Sequence, residues 1–161
     1  KSTKPHMAVL GQVPGTHFYR NVRRFQNVIT DPEILIVRFD AQLYFANTNY
    51  FKDKLKQFVR EKGPELRLLI IDGESLNALD SSAIYALEEI LDFFANKGIA
   101  IAFSGLKGPV RDALVKSQLM KKIRYDRCFM SIQEAVDSYR SNGFESPEGY
   151  SYQEYTKQAN R

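Results

Sequence analysis

Asp80-Ser81-Ser82 sets a carboxylate beside two hydroxyls just ahead of a stretch with helical spacing, and it is the segment best suited to chemistry or recognition. At a helix start the Asp80 carboxylate can accept from the otherwise unpaired amides of Ser82 or Ala83, and it meets the positive end of the helix dipole. A plain cap is the simplest reading. The alternative is a switch: a phosphate on a first-turn hydroxyl would find free amides, yet would repel the neighbouring Asp80 carboxylate. On either reading this turn is expected to be an exposed recognition surface.

The other candidates are weaker. Gly105-Leu-Lys107-Gly108-Pro-Val-Arg111 precedes a helix, and Gly105 and Lys107 could make a weak phosphate or nucleotide contact through backbone amides and the ammonium group. The segment lacks the GxxxxGK[ST] spacing of a P-loop, so a bare loop-to-helix turn is the first expectation. His6 and His17 stand without spaced acidic or cysteine partners, and no metal site is expected of them. The lone Cys128 can form neither an internal disulfide nor a multi-cysteine zinc site, which suits packing and a reducing compartment. No acid, histidine and nucleophile follow one another in a recognisable catalytic order. The expectation is a chain that is not an enzyme and carries no cofactor.

The elements that must position these residues follow from periodicity and punctuation. Ile34 to Phe39 and Leu68 to Ile71 are strand-sized apolar runs, the second uninterrupted as in a central parallel strand covered on both faces. A further buried strand is expected over Ile99 to Phe103, and a short extended piece over Leu43 to Phe45. Phe51, Leu55, Phe58 and Val59 recur at helical spacing after Asn47, a possible cap, and Gly63-Pro64 should stop that helix. Ile84, Leu87, Ile90, Leu91 and Phe94 form the stripe of a second helix, ending at Lys97-Gly98. Pro109 fits the first turn of a third. Ser131-Ile-Gln-Glu134 is a capping-box pattern opening a fourth, which should run to about Tyr139 or Arg140. The segments Ala8 to Leu10 and Thr16 to Phe25 are expected to add one or two antiparallel edge strands. Alternation of strands and helices implies an α/β fold with a mostly parallel sheet of four to five strands, an antiparallel edge and about four helices.

The 161 residues are 43% hydrophobic and 26% charged, which suits a single folded domain over residues 1–143. Residues 144–161 lack clear periodicity and read as a mobile or loosely docked C-terminal tail. No run approaches the roughly 18 to 20 apolar residues of a membrane-spanning helix. The net charge of +4 is spread among acids along the chain, so no nucleic-acid partner is expected. The opening at Lys1 suggests a piece of a longer protein.

Asp80-Ser81-Ser82-Ala83, preceded by Leu68-Leu-Ile-Ile-Asp72 and followed by an amphipathic helix, a strand and another helix, resembles the STAS fold shared by anti-sigma factor antagonists and SulP anion transporters. In the antagonists the motif is Asp-Ser-Ser-Gly or close to it, and the Ser after the Asp is phosphorylated by a partner kinase. The match assigns that place to Ser81, with Ala83 standing where antagonists carry Gly. Lys4-Pro-His-Met-Ala-Val-Leu-Gly-Gln-Val-Pro-Gly-Thr-His-Phe-Tyr-Arg20 and Ile36-Val-Arg-Phe-Asp-Ala-Gln-Leu-Tyr-Phe-Ala-Asn47 resemble the transporter branch. The resemblance spans about Lys4 to Tyr139. It implies a non-catalytic regulatory and protein-interaction domain on the cytoplasmic face of the cell membrane, attached to a multi-helix region that moves anions such as sulfate, bicarbonate or chloride. The partners it implies are that membrane domain, a second copy of the chain, and a protein such as acyl carrier protein. The alternative branch is a stand-alone antagonist switched at Ser81.

Overall fold

The computed structural model describes residues 6–40, 42–43 and 47–144. Six strands form one sheet: β1 (Met7–Gln12), β2 (Tyr19–Asn21), β3 (Ile34–Phe39), β4 (Leu68–Asp72), β5 (Ala100–Ser104) and β6 (Cys128–Phe129). Five α-helices accompany it among the described residues: α1 (Thr48–Lys62), α2 (Ser81–Ala95), α3 (Gly108–Lys116), α4 (Met120–Ile123) and α5 (Ile132–Asn142). The sheet order is β2-β1-β3-β4-β5-β6. β3 to β6 are parallel, and β1 and β2 add the antiparallel edge.

Alternation along the strands sorts the core into two layers. Leu35, Val37, Leu69, Ile71, Ile101 and Phe103 pack beneath α1, α2, α3 and α4. Ile34, Ile36, Leu68, Ile70 and Ala102 face the other way, where Ala135 and Val136 of α5 cover them. All five residues of β4 are buried, as an uninterrupted apolar run in a central strand requires. α1 stops where expected, at Gly63, whose φ of +103° is open to glycine and costly to residues with a Cβ. In the opening of α5, Ser131 Oγ accepts from the Glu134 amide at 3.1 Å, while the Glu134 carboxylate reaches back to the Met130 amide at 3.1 Å. That is a capping box displaced by one residue on its return bond.

Several expectations are corrected. The sheet has six strands rather than four to five, because Cys128–Phe129 pairs with Phe103 and Ser104. The short α4 raises the helix count, and α5 extends to Asn142. Leu43 is buried but lies outside any strand, and the remainder of the piece expected at Leu43 to Phe45 falls outside the described residues. Phe144, the first residue of the expected tail, is docked: its ring stacks on Phe129 at 5.9 Å and meets the edge of Tyr139 at 5.6 Å. Arg127 donates to its carbonyl at 3.2 Å. Residues 145–161 lie outside the described residues.

Candidate functional site

The tip of α2 is built by a loop that is tied down before the helix begins. After β4 ends at Asp72, the Gly73 amide donates to the Ser104 carbonyl at 2.9 Å, and the Leu76 amide closes a turn onto Gly73 at 3.0 Å. Leu76 is buried in the four-helix layer. Gln42 clamps the loop from outside: its amide group donates to the Ser75 carbonyl at 2.6 Å and accepts from the Asn77 amide at 2.9 Å. Lys107 Nζ donates to Asn77 Oδ1 at 2.7 Å from the other side.

Asp80 then caps α2 as expected, in extended backbone, with Oδ1 accepting from the Ala83 amide at 2.8 Å. Ser81 is exposed, Ser82 half-buried and Ala83 fully buried. The methyl of Ala83 therefore belongs to the core, and Ser81 belongs to the surface. Its hydroxyl makes no hydrogen bond among the described residues. Tyr85, one turn further along, is 68% exposed and extends the same surface. Sequence reading missed it, although its place outside the apolar stripe of Ile84, Leu87 and Leu91 was the available signal.

Gly105 and Lys107 come together with this loop. Gly105 sits at φ +66°, and a Cβ there would come 3.3 Å from the Glu74 side chain. Its amide is already used, donating to the Phe129 carbonyl at 3.0 Å. Lys107 precedes α3 in extended backbone, and Pro109 brings no N–H to the first turn. The segment is a loop-to-helix turn whose lysine steadies Asn77.

Sequence reading also missed a polar row at the C-terminal end of the parallel strands. Arg38 pairs with Asp72 across β3 and β4, and Asp72 with Ser104 across β4 and β5, all three on the face that α5 covers further along. Asp72 is 6% exposed. Burial pushes its carboxyl above the usual carboxylate range, while the hydrogen bond from the Glu74 amide and the Arg38 charge pull it back. Cys128 is inert by contrast: burial pushes its thiol up to about 11, so little thiolate forms near neutral pH. His6 and His17 are both exposed. Among the described residues, no group of three His, Cys, Asp or Glu side chains is placed to hold a metal ion, and no helix is long and apolar enough to cross a membrane.

The family model of the STAS domain matches residues 25–135. Sulfate transporter 1.3 of Arabidopsis thaliana is 30% identical over 144 residues, covering 84% of this chain and 22% of the transporter. The chain thus spans about a fifth of the length of the curated relatives it matches. Among solved structures, the murine Slc26a9 anion transporter in its inward-facing state superposes with a TM-score of 0.80 at 23% identity, over 86% of this chain and 22% of that one. The anti-sigma factor antagonist SpoIIAA in its unphosphorylated form gives a TM-score of 0.53 at 19% identity, over 70% of this chain and 93% of that one.

Proposed function

The chain belongs to the STAS domain family, and from that premise we propose that it is the regulatory and protein-interaction domain of a SulP-type inorganic anion transporter. The observation that carries this reading is the start of α2. A loop held from two sides presents a capped helix end whose outward residues, Asp80, Ser81 and Tyr85, are exposed. Such a surface is preorganised, so a partner would bind it without first ordering it. The transporter branch is supported by the relatives' names and by the small share of their length that this chain matches. The membrane part of the same protein, on its cytoplasmic side, is the first partner proposed. A second copy of the chain and a protein such as acyl carrier protein follow. The domain does no chemistry of its own on this reading, and residues 1–143 comprise it.

The test is Ser81→Glu, measured as binding between the purified chain and the separately prepared membrane domain. The expected outcome is a change in affinity of about fivefold or more with an unchanged unfolding midpoint. Unchanged binding removes the tip from the interface. A second reading, a stand-alone antagonist switched at Ser81, draws on the exposure of that hydroxyl and on the fold shared with SpoIIAA. It requires an 80 Da mass gain at Ser81 on incubation with a kinase of that system. No mass gain counts against it.

A further inference from the structure

At the C-terminal end of the parallel strands a cleft of about 530 Å³ opens between the β1–β2 hairpin and the start of α5. Ligands of open α/β sheets characteristically bind outside the carboxyl ends of the strands, and a cleft of this size suits a small molecule. The polar row Arg38, Asp72 and Ser104 contributes to its lining. Phe18 and Met130, 61% and 86% exposed, stand on its opposite rims.

Ser104 is the anomaly in this cleft. It is 1% exposed, and its Oγ is the one buried side-chain polar atom without a partner among the described residues. An unmet hydroxyl at such depth is destabilising, so a group that satisfies it would be bound favourably. The surrounding charges indicate what that group is. Arg20 and Lys107 line the cleft, and neither is paired with a carboxylate among the described residues. Arg20 donates to the Tyr19 carbonyl and lies over the Phe18 ring at 5.3 Å, while Lys107 holds only the neutral Asn77 side chain. Ile132, in the first turn of α5, also lines the cleft, and a first-turn amide has no acceptor within its own helix.

Two acids share the cleft, Asp72 and Glu74. Asp72 is 6% exposed and already accepts from the Glu74 amide at 3.2 Å, and Arg38, also in the lining, is occupied by Asp40. Glu74 is exposed. The donors that remain are a hydroxyl, a helix amide, a guanidinium and an ammonium, arriving from different sides.

From this arrangement we infer that the cleft is a binding site for a tetrahedral oxyanion of the sulfate or phosphate type, with Ser104, Arg20, Lys107 and the start of α5 as its donors. A tetrahedral anion presents acceptors in four directions, which matches donors spread over a hairpin, a strand end and two helix starts. The inference does not depend on what the α2 tip binds, although Lys107 also braces that tip through Asn77.

The experiment is a titration of the 161-residue chain with sodium sulfate, sodium phosphate and, at matched ionic strength, sodium chloride, followed by amide NMR shifts. Saturable shifts at Ser104, Ile132 and Asn77 with sulfate or phosphate, and none with chloride, are the expected result; whichever oxyanion saturates at lower concentration identifies the source. Arg20→Gln and Lys107→Gln should each weaken binding by about tenfold or more, as loss of a charge-assisted hydrogen bond does. Ser104→Ala should weaken it while raising the unfolding midpoint, because the unmet hydroxyl is gone, and Lys52→Gln, in an ion pair with Glu89 between α1 and α2, should leave it unchanged. Shifts that fail to saturate, equal shifts with chloride, or binding undiminished in Arg20→Gln and Lys107→Gln would each overturn the assignment.

Discussion

The two faces of the sheet are covered unequally. Four helices roof one face, and the start of α2 projects from that roof as a capped, braced tip. A single helix covers the other, so the strand ends beyond α5 are left as a cleft floored by Arg38, Asp72 and Ser104. Where the apolar layer is complete, exposed polar residues end up at a helix terminus with their backbone needs met by Asp80 and Gln42, and with Lys107 holding the Asn77 side chain. Where it is incomplete, polar side chains lie beneath the surface and one goes unmet. The difference separates a surface suited to a protein partner from a recess suited to a small one.

That comparison can be attacked first through the cores. Phe94 is 0% exposed in the four-helix layer, and Phe94→Ala should cost about 3–5 kcal/mol in urea unfolding. Val136→Ala, beneath α5, should cost less, about 1–2 kcal/mol, and comparable losses would show that the two layers are equally well packed. A smaller effect is expected at the tip. Asp80→Ala removes the acceptor of the Ala83 amide and should cost about 1 kcal/mol, with Asp80→Asn recovering most of it in the same assay.

The third prediction concerns pH. The Asp72 carboxyl is raised in the folded state, so the unfolded chain ionises first as pH climbs from about the ordinary value of 3.8. Stability contributed by this group is complete below that value and is lost as pH rises through the folded pKa. Asp72→Asn should therefore flatten the decline of the urea midpoint in that window, and an unchanged profile would remove Asp72 as its source.

Much of this architecture was legible because strong local patterns met no competition. The run Leu68 to Ile71 could only be a doubly covered strand, and Asp80 and Ser131 announced their helices by cap chemistry. What escaped was short or non-local. Cys128–Phe129 is two residues long and has no period to detect, and α4 is a single turn. Phe144 looked like the start of a tail because the rings that receive it, Phe129 and Tyr139, lie on two other elements. The candidate tip could be read because it is contiguous in the chain. The polar row could not, since Arg38, Asp72 and Ser104 become neighbours only through the register of three strands.

The outermost strands of the sheet, β2 and β6, have three and two residues. A neighbouring molecule seeking to zip its own backbone onto either flank would find too little ladder to hold, a safeguard against runaway stacking where many copies are crowded together. Among the described residues neither flank offers a ladder long enough for strand pairing, which leaves side chains as the means by which two such domains could meet.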